Sequence, residues 1–263
     1  MREFERFIEC MGTVFVFRGR TDVSESVLDE AVLSAENSLH KADAIFSLYK
    51  PESPLSQLAR GETSVAKCPP VVEEVWNLCE EWEKRTGGWF KAFTPQNTFD
   101  PSGLVKTWAA EFASRALLAA GIDDFTMNAG GDVLLSDALT GDVNWRIGIS
   151  KPVTIAAPEA GVLTVFDLSG NDYRAVATSG SAERGNHIWN LNDADSERDL
   201  VQVSVVAKDL VTADVWATAA FAEGVDSIKR LNAEPGIEAL YVLRDGDLQG
   251  TDGIVQLFAK PRG

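Results

Sequence analysis

Histidine and cysteine are scarce in this 263-residue chain, which holds two of the first and three of the second. The cysteines (Cys10, Cys68, Cys79) are odd in number and lack metal-ligand spacing, so they read as reduced packing thiols in a cytosolic protein rather than as a disulfide framework. Basic residues are also short, 24 Lys and Arg against 40 Asp and Glu, for a formal net charge of −16. A field of that sign repels nucleic acid and anionic membrane surfaces, while leaving room for a small anionic ligand held by a metal ion or by backbone N–H groups. No apolar run approaches a membrane span, and Met1-Arg-Glu-Phe-Glu-Arg6 carries acids with no signal-peptide core behind it, so no membrane insertion and a cytoplasmic location are expected. No G-x-S-x-G elbow, Walker loop or G-x-G-x-x-G occurs, which argues against serine hydrolases, P-loop NTPases and Rossmann dehydrogenases.

What remains is a globular composition, 45% hydrophobic, with no fixed-period repeat and no linker; one domain over residues 1–263 is expected. Glu3 to Arg18 is β-like and is interrupted by Cys10-Met11-Gly12-Thr13. Asp22 to Glu25 reads as a capping box ahead of a helix whose inward face is Leu28, Val32, Ala35, Leu39, Ala42, Phe46 and Tyr49. Leu55 to Leu58 reads as one short helical turn. Pro69-Pro70 begin another helix with Val72, Val75, Trp76, Cys79 and Trp82 inward, closed by Gly87-Gly88. A third helix is expected from about Leu104 to Ala120. After it the chain turns β-rich, with strands at Trp145–Ile149, Leu163–Leu168, Tyr173–Ala177 and Val201–Ala207, then a helix from Thr212 to Glu223 and a shorter one to Leu231. Glu238–Leu243 and Ile254–Ala259 are the last expected strands. Asn190 to Asp199 is charge-rich and reads as an exposed loop.

Three segments carry chemistry. Asn128-Ala129-Gly130-Gly131-Asp132 pairs two glycines between polar residues, which lets a backbone come close to a ligand; its plainer reading is a hairpin turn. Thr178-Ser179-Gly180, leaving a strand toward His187, can offer N–H groups and hydroxyls to a phosphate, with His187 as a proton acceptor near neutral pH; a polar surface turn is the plainer account. Asp214 and Thr218 lie four apart on a helix expected to be capped by Thr212, so a carboxylate and a hydroxyl share one face. Both are hard oxygen donors suited to Mg²⁺, which takes one or two carboxylates and leaves its other positions to water and substrate phosphates. The simpler account is an acid in the first helical turn answering the macrodipole, beside an ordinary helical threonine.

In order along the chain, these and neighbouring segments resemble one family, the ApbE-type FAD:protein FMN transferases. The resemblance runs through Met11-Gly-Thr13, Ser53-Pro-Leu-Ser-Gln-Leu58, Asp100-Pro-Ser-Gly-Leu-Val-Lys106, Asn128 to Asp132, Ala177 to Gly180 with His187-Ile188, and Ala213-Asp-Val-Trp-Ala-Thr218. It implies an α+β fold of mixed sheets with packed helices, in two lobes around a central flavin and metal site. It further implies FAD and Mg²⁺, transfer of FMN to a Thr or Ser hydroxyl of an acceptor flavoprotein, and release of AMP. Carried over by residue, it implies Asp214, Thr218 and the Val105 carbonyl as metal ligands and His187 as general base. Met11, Thr13, Lys106, Gly130, Gly131, Asp132, Thr178, Ser179 and Gly180 would line the flavin site. The sequence departs from the family pattern at Thr107, Ala59, Asn190 and Leu191. Those departures favour a second reading, a non-catalytic FAD-binding carrier or sensor; with water in place of the protein hydroxyl, the same site would be an FAD pyrophosphatase giving FMN and AMP. Asp137 to Gly141 only faintly resembles an acceptor motif and reads as a turn.

Overall fold

The computed structural model describes residues 1–139, 145–152, 161–180 and 199–260. The chain is α+β and divides into two compact units, Met1–Gly130 with Ser136–Ala138, and Gly131–Leu135 with Leu139–Gly263.

The first unit opens with strands β1 (Arg2–Cys10) and β2 (Thr13–Thr21). They pair antiparallel from Arg2↔Thr21 to Cys10↔Thr13. The expected interruption is a two-residue hairpin turn in which Met11 (φ 53) and Gly12 (φ 70) both take positive φ, the backbone that matches the twist of the flanking strands. Met11 therefore sits at the tip of a turn and not within a strand. Helix α1 (Glu25–Phe46) starts two residues later than a capping box at Asp22 would place it: its N-cap is Ser24, whose side chain accepts from the Val27 N–H. Its buried stripe is Leu28, Ala31, Ala35, Leu39, Ala42 and Phe46. Val32 is only half-buried and Tyr49, beyond the helix end, is 91% exposed, so the stripe is narrower than the apolar spacing suggested.

Helices α2 (Pro54–Ala59) and α3 (Pro70–Arg85) follow, the latter with Val72, Val75, Cys79 and Trp82 inward. Trp76 is half-buried against Phe93 and Phe99. Helix α4 (Ser102–Ala119) packs along α1, with Phe46 edge-on to Trp108 at 5.9 Å between ring centroids. Strand β3 (Asp124–Ala129) then pairs antiparallel with β2, from Phe15↔Ala129 to Arg20↔Asp124. Gly130 and Gly131, at φ 67 and 108, carry the chain from one unit to the other.

The second unit contains β4 (Asp132–Leu135), β5 (Arg146–Ser150), β6 (Val162–Asp167), β7 (Ala175–Gly180) and β8 (Leu200–Ala207). Helices α5 (Leu210–Glu223) and α6 (Ile228–Ala233) come next, then β9 (Ile237–Leu243) and β10 (Leu248–Gly250). Its strands are ordered β4-β7-β8-β9-β10, and β5 pairs with β6 separately. Two expectations are corrected. Ile254 to Leu257 forms a short 3-10 helix in place of the final strand, which is β10 instead. Thr178-Ser179-Gly180 lies inside β7, paired to β8 through Gly180↔Gln202, and does not leave the strand as a loop. A core of Ile147, Ile149, Phe166, Val176, Val206 and Leu240 with their neighbours packs this unit. The Asn190–Asp199 loop falls outside the described residues up to 198.

Candidate functional site

In the first unit, the hairpin tip brings Thr13 against Gly130. A Cβ built on Gly130 would sit 2.4 Å from Thr13 Oγ1, well inside any real contact, and φ there is +67. Glycine is thus required at this point twice over, by backbone conformation and by the hydroxyl packed on it. Lys106 and Val105 occupy the start of α4, where Val105 is buried and its N–H donates to the Pro101 carbonyl at 2.9 Å. Asp100 accepts from the Ser102 N–H at 3.0 Å and so closes the polar turn ahead of that helix. Thr107, one of the departures from the family pattern, is fully buried and donates its hydroxyl back to the Leu104 carbonyl at 3.1 Å. Its side chain is engaged within its own helix.

The second unit gathers the other candidates around β7 and α5, which pack together. Asp132, 2% exposed, accepts from the Thr178 N–H at 3.0 Å. The Thr178 hydroxyl meets Ser204 Oγ at 2.8 Å, and Ser179 Oγ lies 3.4 Å from Thr218 Oγ1. Strand β7 is therefore tied on one side to β4 by a carboxylate, and joined through hydroxyls to β8 and to α5. Ser204 escaped the sequence reading. Its signal was there: in Leu200-Val-Gln-Val-Ser-Val-Val-Ala207, Gln202 and Ser204 are polar at alternate positions of an otherwise apolar strand buried throughout. Polar groups in such a run need partners, so their presence points to a buried network.

Helix α5 is capped by Asp209, not Thr212; the carboxylate accepts from the Thr212 N–H at 2.8 Å and from its hydroxyl at 2.9 Å. The shift matters for Asp214. The first turn of α5 contains no acid, so Asp214 stands deeper in the helix and is 6% exposed. The macrodipole account of this carboxylate does not hold, because that effect falls off within the first turn and Asp214 lies beyond it. A carboxylate placed this deep is costly unless something answers its charge. Thr218, one turn on, is half-buried on the same face.

The donor set fits a hard cation: one carboxylate and one hydroxyl offer oxygen only, and Mg²⁺ completes its shell from water and phosphate. No cluster of three or more His, Cys, Asp or Glu side chains suited to a metal is present among the described residues. His187 lies outside the described residues.

The ApbE family model matches residues 91–241, a span that holds α4, the glycine pair, β7 and α5 and more than half of the chain. The chain belongs to the ApbE family. Among curated relatives it is 32% identical over 176 residues to a protein of Rhodobacter capsulatus named FAD:protein FMN transferase, covering 63% of this chain and 32% of that one. It is 27% identical over 163 residues to the Escherichia coli K12 protein of the same name, covering 58% and 44%. The matched stretch thus spans about a third to less than half the length of these relatives. In three dimensions the chain superposes on the ApbE protein of Thermotoga maritima with a TM-score of 0.79 at 19% identity, over 98% of this chain and 100% of the other. It superposes on the flavin transferase ApbE of Vibrio cholerae with a TM-score of 0.76 at 19% identity, over 97% and 99%. Membership of the ApbE family and the α+β fold agree with the sequence expectation. No helix among the described residues is long and apolar enough to cross a membrane.

Proposed function

We propose that this chain is a flavin transferase that moves FMN from FAD to a Thr or Ser hydroxyl of an acceptor flavoprotein in the cytoplasm and releases AMP. The observation that carries the reading is Asp214, buried in α5 one turn from Thr218, whose hydroxyl faces Ser179 of β7. The names of the curated relatives support it as well.

In this reading Asp214 and Thr218 hold Mg²⁺, which when bound offsets phosphate charge. Thr178, Ser179 and Gly180 bind and orient FAD from the edge of β7. By the family resemblance, Met11, Thr13, Lys106, Gly130 and Gly131 also contribute to flavin binding. The acceptor oxygen forms a bond to the phosphorus of the FMN half, the bond from that phosphorus to the AMP phosphate breaks, and His187 takes the hydroxyl proton.

Asp214→Asn keeps the shape and removes the charge. The test is FAD titration with Mg²⁺ and with EDTA in wild type and in this variant. Mg²⁺ should tighten FAD in the wild type, FAD should tighten Mg²⁺ by the same factor, and the variant should lose both effects. Wild-type FAD affinity that ignores the metal would overturn the metal assignment. His187→Ala should leave FAD affinity near normal and slow AMP release by roughly two to four orders of magnitude; normal turnover would remove His187 from catalysis. Following AMP and protein-bound flavin with and without an acceptor flavoprotein separates transfer from FAD hydrolysis and from binding alone.

A further inference from the structure

The ladder between β4 and β7 is short, with Val133↔Val176 and Leu134↔Ala175 as its paired residues. Continued along β7, the same register sets Gly131 opposite Thr178. Gly131 departs from the strand at φ 108, so the backbone of β4 turns away where β7 still runs on to Gly180. The Thr178 N–H, which faces that edge, is taken instead by the side chain of Asp132, at 3.0 Å and 2% exposed. A carboxylate thus stands in for a strand carbonyl beyond the end of its neighbour. On either side of that bond hang the two hydroxyl contacts, Thr178 to Ser204 and Ser179 to Thr218.

We propose that Asp132 is a positioning residue: its carboxylate holds Thr178-Ser179-Gly180 extended past the end of β4, so that the Ser179 hydroxyl reaches Thr218 on α5. This replaces direct flavin contact as the role of Asp132, and it rests on the proposed function only for the consequence on FAD. A buried N–H is costly to leave without its acceptor, and the Thr178 N–H stands beyond the paired residues of the β4 ladder. Because the role requires an acceptor oxygen and not a charge on the ligand, an amide oxygen should serve nearly as well.

The experiment compares wild type, Asp132→Ala and Asp132→Asn by amide exchange at Thr178 and by FAD titration in Mg²⁺. Exchange at Thr178 should quicken at least about tenfold in Asp132→Ala, the scale on which losing one such bond shows, and recover in Asp132→Asn. FAD should weaken by a similar factor in Asp132→Ala and come within about threefold of wild type in Asp132→Asn, one hydrogen bond being restored. Unchanged exchange in Asp132→Ala overturns the positioning role whatever FAD does. Equal loss of FAD affinity in both variants also overturns it, since that marks a charge acting on the ligand or its cation. Wild type that does not bind FAD while exchange responds as expected overturns the flavin reading and leaves the positioning role standing.

Discussion

Helices α1 and α5 show two ways in which a sequence makes a helix belong to a fold. α1 buries six of its 22 residues on one stripe, and its other faces carry Glu, Asp, Asn and Lys into solvent. Its acids answer neighbouring cations: Glu25 pairs with Arg2 and Arg6, and Asp29 meets Arg6 at 3.1 Å. α5 buries eleven of its 14 residues, so it has scarcely any solvent face on which a charge could rest. An acid on α1 is the ordinary price of solubility, whereas Asp214 on α5 is a carboxylate that the surroundings must answer. The same residue type is uninformative on one helix and points to a site on the other, and burial is what separates the cases.

The comparison can be sharpened first on α3, which is amphipathic like α1 but has a thiol on its buried stripe. Burial, helped by the Asp100 charge, pushes the Cys79 thiol up to about 12, and burial with the nearby Asp43 charge pushes Cys10 up to about 11. At pH 8 Cys79 should therefore react with iodoacetamide roughly a thousandfold more slowly than an ordinary thiol, with half-buried Cys68 modified first. Peptide mapping after timed alkylation measures this; comparable labelling of Cys79 and Cys68 would break it. The sign for stability follows from the raised values. The native thiols keep their protons while unfolded ones ionise near 8.5, so the contribution is whole below that pH. It is lost as pH rises through the interval up to about 11 for Cys10 and 12 for Cys79.

Packing offers the next contrast. Trp216 on α5 is 1% exposed and Leu33 on α1 is 55% exposed. Trp216→Ala should destabilise by about 3–5 kcal/mol and Leu33→Ala by no more than about 0.5 kcal/mol, measured by urea unfolding. Similar losses would mean that α5 is less enclosed than its burial indicates. The smallest difference concerns the caps. Asp209 takes a backbone bond of 2.8 Å and a hydroxyl bond of 2.9 Å from Thr212, whereas the backbone bond that Ser24 takes from Val27 is 3.3 Å and its other contact is the Ser26 hydroxyl at 3.0 Å. Asp209→Ala should cost about 1–2 kcal/mol and Ser24→Ala about 0.5–1 kcal/mol. The reverse order would show that the α1 cap contributes more than its geometry suggests.

Asp29→Asn provides the functional counterpart to Asp214→Asn. Asp29 is solvent-facing, with a side chain 60% exposed, so its loss should leave stability within about 0.5 kcal/mol and leave any metal-linked gain in FAD affinity untouched. A variant at Asp29 that erased the gain would place its origin in the general acidic field and not in Asp214.

Much of this was legible in the order of residues. Apolar spacing located α1 and α3, the prolines located the start of α3, and the glycine pair marked a change of direction, because each of these effects acts within a few residues. The final strand was misplaced for the opposite reason: Ile254 to Ala259 is apolar enough for a strand, but Gly250 and Gly253 pack against Ile254 and Glu238 in a way no local pattern reveals. Thr178-Ser179-Gly180 looked like a loop because small polar residues are poor strand formers in isolation. Pairing with β8 and the bond that the Thr178 N–H donates to Asp132 hold it extended.

By itself the sequence determined the periodicities, the cap and turn chemistry and the ordered set of motifs shared with the ApbE family, all of which depend on near neighbours or on residue identity. Tertiary structure alone decided that Asp214 is enclosed, that Asp209 and not Thr212 begins its helix, that Ser204 joins Thr178 and that Asp132 completes β7. Burial and hydrogen bonding between β4, β7, β8 and α5 arise from contacts far apart along the chain. No window of local sequence contains the partners that determine them.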